Sequence, residues 1–215
     1  MAAKDASIKQ AADLAIQAHT AAEAWAEATQ ADVDRVTQAM ADAGHEAAAY
    51  LAELACEETG YGRVDHKTFK NIFCSRLYLD QIRHVPTVGV IASYPERGVT
   101  EIAEPVGVVA GLVPVTNPTA TTLFYGIACV RSRNAVVNAP HPRAVRTIAE
   151  TRQYLDAAED LLATEKTAVD FFNAMIERYP DHLGHTVLWA GVQTLYGIRE
   201  HPEQDIREIV LASWL

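Results

Sequence analysis

Between Glu104 and Arg143 the chain runs from a valine-rich stretch through an Asn-Pro turn into an apolar helix-compatible segment, then into a second short apolar run. Val106 to Val113 is continuous and apolar, the pattern of a strand buried on both faces. Val115-Thr116-Asn117-Pro118-Thr119 follows. Pro118 suits the first position of a helix, because its missing N–H is one that a helix leaves unpaired anyway. Thr121 to Val130 continues as helix, Asn134 to Asn138 reads as a second strand, and Pro140-His141-Pro142 stops it. Strand, crossover helix and strand in this order predict a parallel pair within an α/β fold. The loop around Asn117 then lies at the carboxyl ends of the strands, where parallel sheets hold their ligands. By itself the Asn117-Pro118 pair also reads as an Asx-type turn capping the helix.

Everything before His84 reads as helix. Asp5 can cap a first helix through Ala28, with Ile8, Ala11, Ala12, Ala15, Ala18 and Ala22 on one face. Thr29-Gln30-Ala31-Asp32 is a capping-box pattern ahead of Val33, Val36 and Met40. Glu46 to Glu58 continues with Leu51, Leu54 and Ala55, and Gly60 supplies a C-terminal stop. Thr87 to Tyr94 and Val99 to Ile102 then read as strands around a Pro95-Glu96-Arg97-Gly98 hairpin turn. After Val145 the pattern is helix after helix. Thr147, with Glu150 three residues on, opens one; Thr164 to Tyr179, Thr186 to Tyr196 and Ile206 to Trp214 are the others. The predicted architecture is therefore α/β: a helical N-terminal region, a β-hairpin, a partial Rossmann-like βαβ unit and an all-helical C-terminal tail. The boundary falls between residues 1–144 and 145–215.

The formal charge of −10 speaks against nucleic acid or an anionic membrane as the main partner, since both select clustered Lys and Arg. No apolar run approaches the ~20 residues of a membrane span, and the first thirty residues lack the apolar segment of a secretory signal. Cys56, Cys74 and Cys129 are odd in number, widely spaced and without a CxxC pair, which fits a reducing cytoplasm. Each sits among apolar residues, where a cysteine behaves as a small buried hydrophobe.

The βαβ unit is preceded by Glu57-Glu58-Thr59-Gly60-Tyr61-Gly62, Asp65-His66-Lys67, Lys70-Asn71, Val88-Gly89-Val90-Ile91 and Ile102-Ala103-Glu104-Pro105-Val106-Gly107. In order and spacing, residues 5 to 144 resemble the cofactor-domain opening of the aldehyde dehydrogenase superfamily. The likeness is to the CoA-acylating branch that includes bifunctional aldehyde–alcohol dehydrogenases. The resemblance implies NAD as cofactor, aldehyde and CoA as substrates, and a homo-oligomer whose interface includes the hairpin region. It also implies that Asn117 donates to the oxyanion of a thiohemiacetal, and that Val115, Thr116, Ala139, Pro140 and His141 border the cofactor. The family's nucleophilic cysteine lies further along its domain, and none of the three cysteines here has that setting. The third strand and the glycine motif at the nicotinamide phosphates are likewise not found. The resemblance thus implies a truncated chain, inactive alone.

A second, shorter likeness covers residues 147 to 197. Thr147-Ile148-Ala149-Glu150-Thr151-Arg152, Tyr154-Leu155, Tyr179-Pro180-Asp181 and Leu188-Trp189 resemble the closing helices of metallo-β-lactamase-fold hydrolases. The HxHxDH metal signature of that family is absent. His182 and His185 stand three apart, but two histidines need further ligands from elsewhere, so no metal site is expected. Asp181-His182-Leu183-Gly184 reads as a turn. Besides an aldehyde dehydrogenase-like oxidoreductase, two other readings stand: a non-catalytic fragment that oligomerises through its helices and hairpin, and the remnant of such a hydrolase in a chimera joined near Val145.

Overall fold

The computed structural model describes residues 2–152. The helices expected over residues 164–179, 186–196 and 206–214, together with His182 and His185, lie outside the described residues. So does most of the segment that resembles metallo-β-lactamase-fold hydrolases. Within them the fold is mixed α/β. The helices are α1 (Ala2–Trp25), α2 (Gln30–Glu46), α3 (Ala48–Thr59) and α4 (Val64–Ile72); a π-helical turn (Phe73–Leu77) then leads into α5 (Tyr78–Ile82). An antiparallel hairpin follows, β1 (Gly89–Tyr94) and β2 (Val99–Ala103). The unit β3 (Val108–Val113), α6 (Pro118–Arg131) and β4 (Ala135–Pro140) closes the series, with β3 and β4 parallel. Another helix begins at 145 and is described to 152.

Local chemistry explains most of these boundaries. Thr29 caps α2 with a complete capping box: its hydroxyl accepts from Asp32 N, and the Asp32 carboxylate accepts from Thr29 N. Gly60 ends α3 in the left-handed conformation that glycine adopts without a Cβ penalty. Pro118 is the first residue of α6, which starts three residues earlier than Thr121. β3 starts at Val108 rather than Val106, because Gly107 has a φ of 100° and breaks the extended run. The N–H groups of Val106 and Gly107 donate instead to Asn134 Oδ1, at 2.7 and 2.9 Å.

Helix α2 packs against α5 and α6 around Val36, Met40, Leu79, Leu123 and Ile127, with Trp25 and Tyr78 at the margin. A smaller cluster of Val113, Ala144 and Ile148 joins the end of β3 to the helix that starts at 145, with Tyr125 against it.

Four expectations need correction. Helix α1 begins before Asp5, so Asp5 lies inside the helix and does not cap it. The α1 stripe is largely solvent-facing: Ile8 is 58% exposed, and burial is reached only at Ala22. β3 is buried on one face only. Gly111 and Val113 are buried, while Val108, Ala110 and Leu112 on the other face are exposed, Leu112 to 76%. Among the described residues β3 has one neighbouring strand, β4, and the helices α1 and α6 that contact this pair leave Val108, Ala110 and Leu112 exposed. Finally, Thr147 does not open its helix with Glu150. The helix already runs at 145, and the carboxylate of Glu58, from α3, accepts from Arg146 N at 2.9 Å and Thr147 N at 2.7 Å. A distant side chain has taken the capping role.

Next to this core sits an ionic cluster in which Arg76 pairs with the buried carboxylate of Asp42. His45 lies beside it. Burial, with the Arg76 charge adding and Asp80 opposing, holds the His45 imidazole down at about 4, and among the described residues its buried Nδ1 has no hydrogen-bond partner. In the unfolded chain this histidine protonates near 6.5, whereas the folded state resists protonation. Its contribution to stability is therefore complete above pH 6.5 and is lost progressively as pH falls towards 4. The expected loss over that window is about 3 kcal/mol. Melting curves of wild type and His45→Gln across the window are the check. Parallel pH profiles for the two proteins would remove His45 as the cause.

Candidate functional site

Helix α4 presents Lys67, Lys70 and Asn71 at i, i+3 and i+4, one face of a helix. This face meets the loop between β3 and α6. Asn71 is fully buried; its Nδ2 donates to Ala48 O at 2.8 Å, and its Oδ1 accepts from Thr119 Oγ1 at 2.6 Å. One carboxamide thereby joins α3, α4 and the first turn of α6. Lys67, only 4% exposed, donates through Nζ to Thr116 O at 2.8 Å. Burial holds its ammonium below the ordinary lysine range; the Cys56 thiolate, when formed, opposes this, and the Lys70 charge adds to it.

Asn117 is the N-cap residue of α6, with φ −140° and ψ 56°, yet its side chain makes no capping hydrogen bond. The Asx-cap reading is thus not what this side chain does. Lys70 Nζ meets Asn117 Oδ1 at 2.9 Å. An ammonium has only donors, so the carboxamide orientation follows chemically: Oδ1 is engaged and Nδ2 is the open end. Among the described residues Nδ2 makes only a long 3.4 Å contact with Thr116 Oγ1. The loop therefore offers a half-buried, oriented N–H donor at the carboxyl end of β3.

The carboxyl end of β4 lies alongside. Leu112 pairs with Ala139 and Val113 with Pro140, and His141 N extends the ladder by donating to Val113 O at 3.1 Å. Ala139, Pro140 and His141 are exposed, as is Thr116; Val115 is half-buried. His141 Nδ1 accepts from Arg143 N at 3.2 Å, which leaves Nε2 as the protonated nitrogen of the neutral ring. Two neighbouring strand ends, one carrying the Asn117 amide donor and the other an exposed Ala-Pro-His edge, lie side by side. The sequence candidates Val115, Thr116 and Asn117 thus share one loop, and Ala139, Pro140 and His141 lie on the adjoining strand end.

Two of the three cysteines lie within electrostatic reach of the lysines that hold this loop, Cys56 near Lys67 and Cys74 near Lys70. Cys129 is buried in α6 and Cys74 half-buried in the π-helical turn; burial pushes both thiols up, with Lys70 partly opposing this at Cys74. Cys56, half-buried on α3, has Sγ 3.7 Å from Tyr61 O. Among the described residues no hydrogen bond joins any of the three to Asn117, and no cluster of three or more metal-ligating side chains occurs. Lys67, Lys70 and Asn71, quoted above among the residues of the resemblance but given no role there, are the further residues of the site. Their i, i+3, i+4 spacing was the available signal.

The sequence model of the aldehyde dehydrogenase family matches residues 1–161. The chain is 42% identical over 120 residues to aldehyde-alcohol dehydrogenase 2 of Entamoeba histolytica, which covers 56% of this chain and 14% of that protein. An acetylating aldehyde dehydrogenase from Geobacillus thermoglucosidasius superposes with a TM-score of 0.70 at 36% identity, over 80% of this chain and 40% of the other. A Rhodopseudomonas palustris propionaldehyde dehydrogenase, solved with bound CoA and an acylated cysteine, matches with a TM-score of 0.53 at 26% identity; the match covers 68% of this chain and 34% of that one. An engineered glycolyl-CoA reductase with bound NADP+ matches with the same TM-score at 25% identity, over 68% of this chain and 34% of that chain. The chain thus spans 14% of the length of the Entamoeba relative and 40% of the Geobacillus structure.

Proposed function

Because this chain belongs to the aldehyde dehydrogenase family, in its CoA-acylating branch, we propose that it carries the oxyanion-binding and nucleotide-facing part of an acylating aldehyde dehydrogenase site. The observation that carries the reading is the Asn117 carboxamide, spared from capping α6 and oriented by Lys70 with its N–H end open. When a thiolate adds to an aldehyde carbonyl, a C–S bond forms and the π-electron pair moves onto oxygen. Asn117 Nδ2–H is the donor that meets this negative charge, in a position fixed before the reaction starts. Lys67 holds the Thr116 carbonyl and so keeps the loop from shifting as charge develops.

The exposed edge at Ala139, Pro140 and His141, with Val115 and Thr116 opposite, fits the elongated dinucleotide of the family. A bound nicotinamide supplies a hydride acceptor to such a site. Among the described residues these supply one side of a ligand site, so weak binding by this chain is expected. In calorimetry, NAD is expected to give no more than a weak heat. Titration of NAD into isotope-labelled protein is expected to shift the backbone amides of Val115, Thr116, Asn117, Ala139 and His141. Shifts clustered elsewhere, or a micromolar Kd, count against this reading.

None of Cys56, Cys74 and Cys129 is the nucleophile in this proposal, so the acyl-accepting thiolate comes from outside these three residues. The cysteines are free, in keeping with a reducing cytoplasm, and among the described residues no helix is long and apolar enough to cross a membrane.

A second reading, self-association, is favoured by the hairpin. Val90 and Ile102 are register partners, exposed to 61% and 57%, and Val99 is exposed to 45%. A two-stranded apolar sheet with open edges is a pairing surface. Light scattering over a concentration series is expected to show the chain self-associating, with dimer as the main species. A sharp monomer mass at the highest concentration, with a melt independent of dilution, would show that this surface is closed within the monomer.

A further inference from the structure

We propose that Lys70 is a positioning residue that polarises the Asn117 carboxamide and so sets the strength of its N–H donors. The inference rests on Asn117 acting as the oxyanion donor and identifies what tunes it. An asparagine at an N-cap ordinarily turns its side-chain oxygen onto the backbone N–H groups of the first helical turn. Asn117 does not, and its oxygen instead accepts from an ammonium on a different helix at 2.9 Å. A hydrogen bond from a cation is roughly twice as strong as a neutral one, which accounts for the lost cap. It also draws electron density towards Oδ1, increases the double-bond character of the C–N bond and leaves the two N–H groups at Nδ2 more acidic. A more acidic N–H is a better partner for a developing oxyanion.

The arrangement is braced. Lys70 follows Lys67 by one helical turn and adjoins Asn71, so the helix that carries the ammonium is fastened both to the loop backbone at Thr116 and to α6 at Thr119. Lys70 and Asn117 therefore keep a fixed separation while the ammonium itself stays at the surface, where it can be changed without opening the core.

The test uses the full 215-residue chain labelled with [15N]asparagine, the Asn117 side-chain pair being assigned by its disappearance in Asn117→Asp. The wild-type pair is expected to be displaced downfield and to exchange faster with solvent than those of other exposed asparagines. Lys70→Met should return both properties to the ordinary range, Lys70→Arg should retain them, and Lys67→Met, which loosens the loop but keeps the ammonium at position 70, should shift them less than Lys70→Met does. An unchanged backbone amide spectrum away from the loop certifies each variant as folded. Identical side-chain signals in wild type and Lys70→Met overturn the proposal. So does a Lys67→Met shift as large as that of Lys70→Met, which would make loop position the cause. Neither turnover nor ligand binding is read in this experiment, so its failure is distinct from a failure of the NAD titration that tests the proposed function.

Discussion

Mixed with NAD, CoA and a short aldehyde, the purified chain will produce no NADH above a protein-free blank. Acylating oxidation needs a cysteine thiolate poised against the carbonyl carbon. The Cys74 and Cys129 thiols are pushed up by burial, away from the depressed values that reactive cysteines show. Cys129 is also closed off inside α6, at 8% exposure. Cys56 faces the carbonyl of Tyr61 and is not hydrogen-bonded to the Asn117 loop. If none of the three cysteines serves as nucleophile, Asn117 has no oxyanion to meet. The decisive comparison adds Asn117→Ala and a sample alkylated at its cysteines. Turnover that falls about 10²–10³-fold in Asn117→Ala, and disappears on alkylation of one cysteine, would place a complete acyl-transfer site within this chain.

Arg131→Ala is expected to be the most destabilising single substitution of a polar residue in the described fold. The guanidinium stands at the end of α6 and is 2% exposed. It donates to the Asp34 carboxylate at 2.8 Å and to the carbonyls of Ile82, Arg83 and Val85 at 3.2, 2.9 and 3.2 Å. One side chain thus ties α2, the end of α5 and the chain leading to β1 onto the crossover helix. Truncation leaves several carbonyls without their donor, at a cost of about 4 kcal/mol, with most of it from these carbonyls because Asp34 is half-exposed. For a chain of this size the melting temperature should fall by roughly 10 °C. Arg131→Lys should recover only part of the loss, since a compact ammonium cannot span the fork of acceptors. Arg146→Ala, which breaks an exposed pair with Glu57, should change stability by less than about 1 kcal/mol. Urea titrations of the three variants decide the matter. Similar midpoints for Arg131→Ala and wild type would show that the cluster contributes nothing.

Helix, hairpin and parallel unit were legible because their signals are local. Thr29 and Asp32 sit three residues apart, within reach of each other's backbone in any helix start, so a capping box can be read and then found. Pro118 at the opening of α6, Gly60 at the close of α3 and the turn between β1 and β2 follow from the same short-range sterics. The location of Asn117 at the end of a parallel strand also followed, since a strand–helix–strand order permits few arrangements.

What Asn117 does with its side chain was not legible. Lys70 lies 47 residues away, and local rules favoured a cap that the tertiary contact displaced. The same distance separates prediction from outcome elsewhere. Glu58 caps a helix 89 residues downstream that Thr147 was expected to open, and Asn71 reaches Thr119 across 48 residues. The exposure of Leu112 was equally hidden, because an apolar run states that a strand is able to be buried on both faces, not how many neighbours it has. Backbone geometry is fixed by residues a few positions apart, and the sequence determines it nearly alone. Hydrogen bonds between side chains on different elements depend on where packing brings those elements together, so the partners of Asn117, Glu58 and Arg131 were decided only by the tertiary structure.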